Sequence, residues 1–256
     1  MTAIYKKELS SYFTNPLGYV FVSVYLIASA LIFSYTTFKA KSYDTSRYFS
    51  FMIMAFIILI PLLTMRLFSD ERKMRTEQMI LTAPVTITGM VFGKFLAAFT
   101  VYLGSLAVSL VNFIPLYAVA IRERAGESYS VTHIGPVTGQ IVGSFIGLIL
   151  VGAAFIAIGM FVSAFFEDQL AAAITTIGVI LFMVAVGFVN SMTDAEGHSI
   201  IGVYAIRFVL DWISVLSRFS NFGAGIFDYT AILYYFSIAG VFIFLTVRVY
   251  DRRRWA

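Results

Sequence analysis

The sequence predicts an all-α membrane protein with six transmembrane helices, and three observations carry that expectation. Of 256 residues, 60% are hydrophobic and 12% charged, about half the charged share of a soluble domain, and the mean hydropathy is +0.88. Uncharged runs of the ~20 residues needed to cross a bilayer occur six times. No segment between them is long enough to bury a core of its own, so residues 1–256 read as one transmembrane domain. The absence of cysteine excludes disulfides and thiolate metal sites. The N-terminus lacks the short apolar stretch and small-residue cleavage site of a removable signal peptide, so the first span is expected to direct insertion.

The elements follow in order. Residues 1–14 form an amphipathic helix with Met1, Tyr5, Leu9, Tyr12 and Phe13 on one face and Lys6, Lys7, Ser10, Ser11 and Thr14 on the other, a pattern that lies in a membrane interface. The spans run from Leu17 to Phe38, Tyr48 to Met65, Phe95 to Ile121, Val137 to Phe166, Leu170 to Ser191 and Tyr229 to Val247. The thirty-residue fourth is long enough to tilt. Pro61 and Pro115 fall inside spans and should kink them. Between spans five and six, Ile200 to Phe219 reads as an outer interfacial or re-entrant helix with a polar stripe of Arg207, Asp211, Ser214 and Arg218.

Orientation follows from the basic residues, which concentrate in cytoplasmic loops. The side holding both termini collects Lys6, Lys7, Arg66, Arg72, Lys73, Arg75, Lys94, Arg248, Arg252, Arg253 and Arg254, eleven in all. The other side holds seven: Lys39, Lys41, Arg47, Arg122, Arg124, Arg207 and Arg218. Both termini are therefore expected in the cytoplasm. The formal net charge of +4 is a topological property and implies no nucleic-acid partner.

The six spans carry no charge, whereas carriers driven by protons or sodium bury ionisable groups in their helices. Their polar residues, Asn112, Gln140, Ser144, Thr175 and Thr176, are read as bonds between helices. Any energy for transport should enter from outside the bilayer. His133 and His198 lie in outer loops without a metal-ligand pattern, so no catalytic or metal residue is assigned. GMVFGKF, Gly89 to Phe95, is one residue short of a phosphate loop and has Phe95 where Ser or Thr is required. The chain is expected to bind no cofactor.

In the fourth span, Gly135, Gly139, Gly143 and Gly147 recur every fourth residue, overlapping GxxxG units that admit a neighbouring helix at backbone distance; intrachain packing is favoured over a dimer seam. Ser69 to Pro84 is the long charged interruption, with six formal charges in the nine residues from Asp70 to Gln78. It reads as a short cytoplasmic helix over residues 69–84, with Glu71 able to pair with Arg75 at i+4.

Three segments carry a family resemblance. PLLTMRLFSDERKMRTEQMILTAPVTITGMVFGKFLAA resembles the signature of the membrane subunits of ABC-2 type ATP-binding-cassette exporters, roughly E-R-K-x-G-T-x-E-x-L-L-x-T-x-P followed by GK-x-L-A. Glu71, Arg72, Lys73, Thr76, Leu81, Thr82, Pro84, Gly93, Lys94 and Leu96 match it. IGMFVSAFFEDQLAAAI is similar to the family's link between spans four and five. KKELSSYFTNPLGYVF resembles the family start, particularly in gliding-motility type permeases. In departure, Arg75 stands where the family has Gly, Gln78 where Glu is common, and Phe165 and Phe166 make the second inner loop more apolar.

The resemblance implies an ABC transporter permease in the bacterial cytoplasmic membrane, not itself an enzyme. It would pair with a second copy or a related permease and dock on a separate ABC ATPase that binds ATP and Mg. It implies a coupling role for Glu71, Arg72, Lys73, Arg75, Thr76, Glu77 and Thr82, a second contact at Glu167 and Asp168, and a connecting-helix role for residues 1–14. The aromatic content, 26 Phe and 15 Tyr, suits a path for lipids or amphiphiles as well as ordinary packing. Two alternatives stand beside this reading. One is a force-transmitting membrane anchor of a surface or motility machine, and the other is a lipid-modifying enzyme using His133, Asp194, Glu196 and His198.

Overall fold

A computed structural model describes residues 2–40, 43–76, 86–126, 135–191 and 214–255. The helices are α1 (Thr2–Thr14), α2 (Pro16–Phe33), α3 (Ser46–Thr64), α4 (Arg66–Lys73), α5 (Ile87–Ser109), α6 (Ile114–Gly126), α7 (Thr138–Ser163), α8 (Gln169–Ser191), α9 (Val215–Gly223) and α10 (Tyr229–Trp255). Among the described residues there is no strand. Six stretches are long and apolar enough to cross a membrane: Pro16–Phe38, Ser46–Lys73, Ile87–Ile121, Thr138–Ser163, Gln169–Phe188 and Tyr229–Arg254. All six expected spans are found.

Their ends differ from the sequence reading, for local reasons. A π-helical turn, Ser34–Phe38, closes the first span. The second continues past Met65 into α4 after a break that follows Pro61 by one turn, with the Met65 amide donating to the Pro61 carbonyl at 2.8 Å. The third begins at Ile87 instead of Phe95 and includes Lys94. A 3₁₀ turn, Leu110–Phe113, precedes Pro115 and joins α5 to α6, where the ring removes an α-helical donor. The fourth span is shorter than expected, starting at Thr138.

Helix α7 is the axis of the bundle. In its apolar window 78% of residues are buried, against 56% or less in the other five, and α3, α5, α8, α9 and α10 all pack on it. Small residues make this possible. A Cβ on Gly143 would lie 3.1 Å from the Phe222 carbonyl oxygen, and one on Gly147 would lie 2.8 Å from the Phe219 ring, so these two glycines seat α9 within the same chain. Gly152 faces the Tyr102 ring of α5, and Gly159 faces Thr64 of α3 and Thr176 of α8. The expected four-glycine stripe is thus corrected to two positions. Gly139 meets nothing within 4 Å, and Gly135 precedes the helix at a φ of 137°.

At the end away from the termini, Phe33, Tyr48, Phe49, Phe113 and Phe145 form a continuous ring cluster with centroid spacings of 5.0 to 5.9 Å. Such edge-on and offset contacts add to simple burial. Beside it Gln140 donates to Ser46 Oγ at 2.5 Å and to the Gly223 carbonyl at 2.8 Å, Ser144 donates to the Phe222 carbonyl, and Asn112 donates to Ser29 Oγ at 2.9 Å. These three polar span residues do join elements. Thr175 and Thr176 instead bond back to carbonyls four residues earlier in their own helix. Asp44 is held below the usual carboxylate range, chiefly by the Ser46 amide.

Only the end of the expected outer helix is described. Ser214, expected on a polar stripe, is buried and caps α9 by accepting the Ser217 amide at 3.2 Å. Arg218 stacks on the Tyr234 ring. Arg207 and Asp211 lie outside the described residues.

Candidate functional site: the polar hub at the termini-bearing end

α4 emerges from the second span amid five other elements. Ser163, the last residue of α7, organises the exit. Its hydroxyl donates to the Met65 carbonyl at 3.1 Å and accepts the Phe68 and Ser69 amides at 3.2 and 3.3 Å. These are groups freed by the α3 to α4 break, which a buried chain must satisfy. Phe68 packs on Tyr250 of α10 at 4.6 Å. Arg72 donates to the Phe165 carbonyl at 2.6 Å and to Glu167 at 3.1 Å. Asp70 is bonded by Arg66 and by Gln169 of α8, and Arg253 reaches the Ala164 carbonyl at 2.8 Å.

The other side of α4 meets α1 and α5 through Lys94. This ammonium is buried, with 2% of the side chain exposed. It donates to Glu71 at 2.8 Å, to the Leu67 carbonyl at 2.7 Å and to Glu8 at 3.2 Å, filling its three donor positions. Gly93 lets α1 approach: a Cβ there would lie 3.2 Å from Ile4 and 3.4 Å from the Tyr5 amide. Tyr12 donates to the Leu63 carbonyl at 3.0 Å; burial, then the Glu8 charge, pushes its hydroxyl well above the usual range. Helix α1 therefore packs Ile4, Glu8 and Tyr12 inward, while Phe13, expected on the apolar face, is exposed.

A cavity of about 180 Å³ opens between α1, α4 and α5, lined by Lys7, Glu8, Ser11, Tyr12, Arg66, Asp70, Glu71, Thr76 and Lys94 among others.

The helix stops in a defined way. Met74 caps α4, the Arg75 amide donates to the Arg72 carbonyl at 3.0 Å, and the Thr76 amide donates to the Glu71 carbonyl at 2.9 Å. This is the Schellman pattern, whose post-cap residue is left-handed and usually glycine. Here it is Arg75, at a φ of 56°. Within the expected helix over 69–84, residues 69–73 prolong the second span and residues 74–76 turn out of it; residues 77–84 lie outside the described residues. Glu71 pairs with Lys94, not with Arg75. The expected absence of charge from the spans is corrected too, since Lys94 lies inside the third.

Of the expected coupling residues, Glu71, Arg72 and Thr76 are partly buried in this hub, while Lys73, Arg75, Glu167 and Asp168 face outward with Met74, Phe165 and Leu170. Glu77 and Thr82 lie outside the described residues. Glu8, Ser163, Gln169 and Arg253 were missed as hub members. Glu8 carried a signal, because it interrupts the apolar face shared by Tyr5, Leu9 and Tyr12, and a carboxylate there calls for a buried cation. Ser163, Gln169 and Arg253 carried none. Among the described residues no group of three His, Cys, Asp or Glu side chains is placed to hold a metal. A scan against protein-family models finds no match, and a search of curated proteins finds none either.

Proposed function

We infer that this chain is the permease subunit of an ABC-type exporter, with the termini-bearing end in the cytoplasm and docked on a separate ATPase that carries ATP and Mg. The observation that supports the reading best is convergence. The three segments that carry the resemblance, far apart in sequence, meet around α4 through Lys94 to Glu8, Lys94 to Glu71 and Arg72 to Glu167. Arg75 adds support, because the position where the family has glycine is the one residue outside glycine with a positive φ among the described residues.

In this reading the outward set of Lys73, Met74, Arg75, Phe165, Glu167, Asp168 and Leu170 receives the ATPase. Its mixed charges and exposed apolar groups suit a polar-rimmed protein contact. Nucleotide-driven movement of the ATPases would press on α4. Ser163 and Arg72 carry the displacement to α7 and α8, Lys94 carries it to α5 and α1, and a second permease copy or a related chain completes the pathway. Such a device needs two arrangements that the ligand states bias differently.

The double substitution Lys73→Glu with Arg75→Glu alters this surface without touching the buried pairs. The expected outcome is a loss of at least tenfold in permease-stimulated ATP hydrolysis by the reconstituted complex, with unchanged membrane insertion. Undiminished stimulation contradicts the assignment.

A further inference from the structure

The cavity between α1, α4 and α5 has an uneven distribution of charge. At its floor two carboxylates, Glu8 and Glu71, share one ammonium, Lys94, each through one oxygen. The floor is therefore electronegative by about one charge. At its rim Lys7 is 66% exposed and only 4.0 Å from Glu8. The Arg66 to Asp70 pair forms a neutral wall. A negative floor under a positive rim matches a ligand whose ammonium leads and whose phosphate follows. A simple anion meets the floor carboxylates, and a metal cation meets the Lys94 ammonium.

The position favours a lipid. The cavity sits where the second span gives way to α4 and beside the joint of α1 and α2, where Phe13 and Tyr19 are exposed with ring centroids 5.8 Å apart. Exposed aromatics of this kind mark the headgroup level of a bilayer. A volume of about 180 Å³ is roughly ten times the ~15 Å³ needed to seat one water, enough for a small headgroup.

We propose that this cavity binds a phospholipid headgroup bearing a primary ammonium, with Glu8 and Glu71 accepting from the ammonium and Lys7 pairing with the phosphate. A trimethylated headgroup lacks the N–H donors and is discriminated against. The site shares Glu8, Glu71 and Lys94 with the hub, whereas the exposed Lys7 and the Lys73 and Arg75 surface do not overlap, so Lys7→Gln tests lipid binding separately from ATPase docking.

Native mass spectrometry of the detergent-solubilised protein tests this with phosphatidylethanolamine, phosphatidylcholine and phosphatidylglycerol of identical chains. The expected result is several-fold more retained phosphatidylethanolamine than either other lipid. Glu8→Gln should bring that ratio close to one. Lys7→Gln, at an exposed position that leaves the fold alone, should lower ethanolamine-lipid retention at least twofold. Competition by soluble glycerophosphoethanolamine separates the sources: weaker displacement than by the lipid identifies a membrane lipid, and equal displacement identifies a soluble ligand of the same headgroup chemistry. Equal retention of the three lipids, a phosphatidylglycerol preference reflecting attraction to Lys6 and Lys7 alone, or a preference unchanged in both variants overturns the proposal.

Discussion

Arg75 holds a left-handed backbone that costs a residue with a Cβ about 1–2 kcal/mol, and it does so because the helix end requires it. The Glu71 and Arg72 carbonyls find donors only if the chain turns at this point. Arg75→Gly should therefore stabilise the protein by about 1 kcal/mol, read as a rise of a few degrees in the thermal unfolding midpoint in detergent. An unchanged or lower midpoint contradicts the strain. Lys94 is a contrasting case, in which burial is offset by three bonds from one ammonium. Removing its charge would leave two carboxylates facing each other, a change that typically costs about 3–5 kcal/mol for a buried pair. The sequence showed Lys94 as a lone cation ahead of an apolar run. Which carboxylates it meets depends on α1 folding back onto α5, and no local pattern encodes that.

Among the elements, α7 decides the packing. Its glycines act at successive heights: Gly143 and Gly147 admit α9, Gly152 admits α5, and Gly159 admits α3 and α8. Gly152→Ala would drive a Cβ into the buried Tyr102 ring, whose hydroxyl donates to the Leu148 carbonyl at 2.7 Å, and overpacking of this kind costs about 1–3 kcal/mol. Gly139→Ala meets open space and gains helix propensity, up to about 1 kcal/mol. Opposite shifts of the two unfolding midpoints are the expected outcome; equal shifts contradict the packing assignment. The GxxxG spacing revealed close approach but not its limits, because Gly135 lies before the helix begins. Span ends differ from the hydropathy limits for a related reason. Hydropathy falls at Met65 and rises at Phe95, whereas helical hydrogen bonding resumes after Met65 through α4 and begins eight residues before Phe95, at Ile87.

At the scale of the whole molecule, even crossing number places α1, α4, the start of α5, the link from α7 to α8 and the end of α10 together. The absence of cysteine makes the sidedness directly measurable with single substitutions labelled by a membrane-impermeant maleimide. Lys73→Cys should react only from the cytoplasmic side and Ser220→Cys, at the exposed face of α9, only from the opposite side. Reaction of both from one side contradicts the topology. The six spans are legible in the sequence, since hydrophobic length acts locally. The hub was legible only as three separate motifs. Its connections are bonds between residues up to ninety-nine positions apart, as in Asp70 to Gln169.

The proposed contact places an ATP-hydrolysing subunit on the outward face around α4. The most direct measurement is site-specific photocrosslinking in intact membranes from Met74, which is 73% exposed at the tip of that face. An adduct with an ABC ATPase is expected, reduced when Lys73→Glu and Arg75→Glu are introduced together. Crosslinking to lipid alone, or to proteins without a nucleotide-binding phosphate loop, would contradict it.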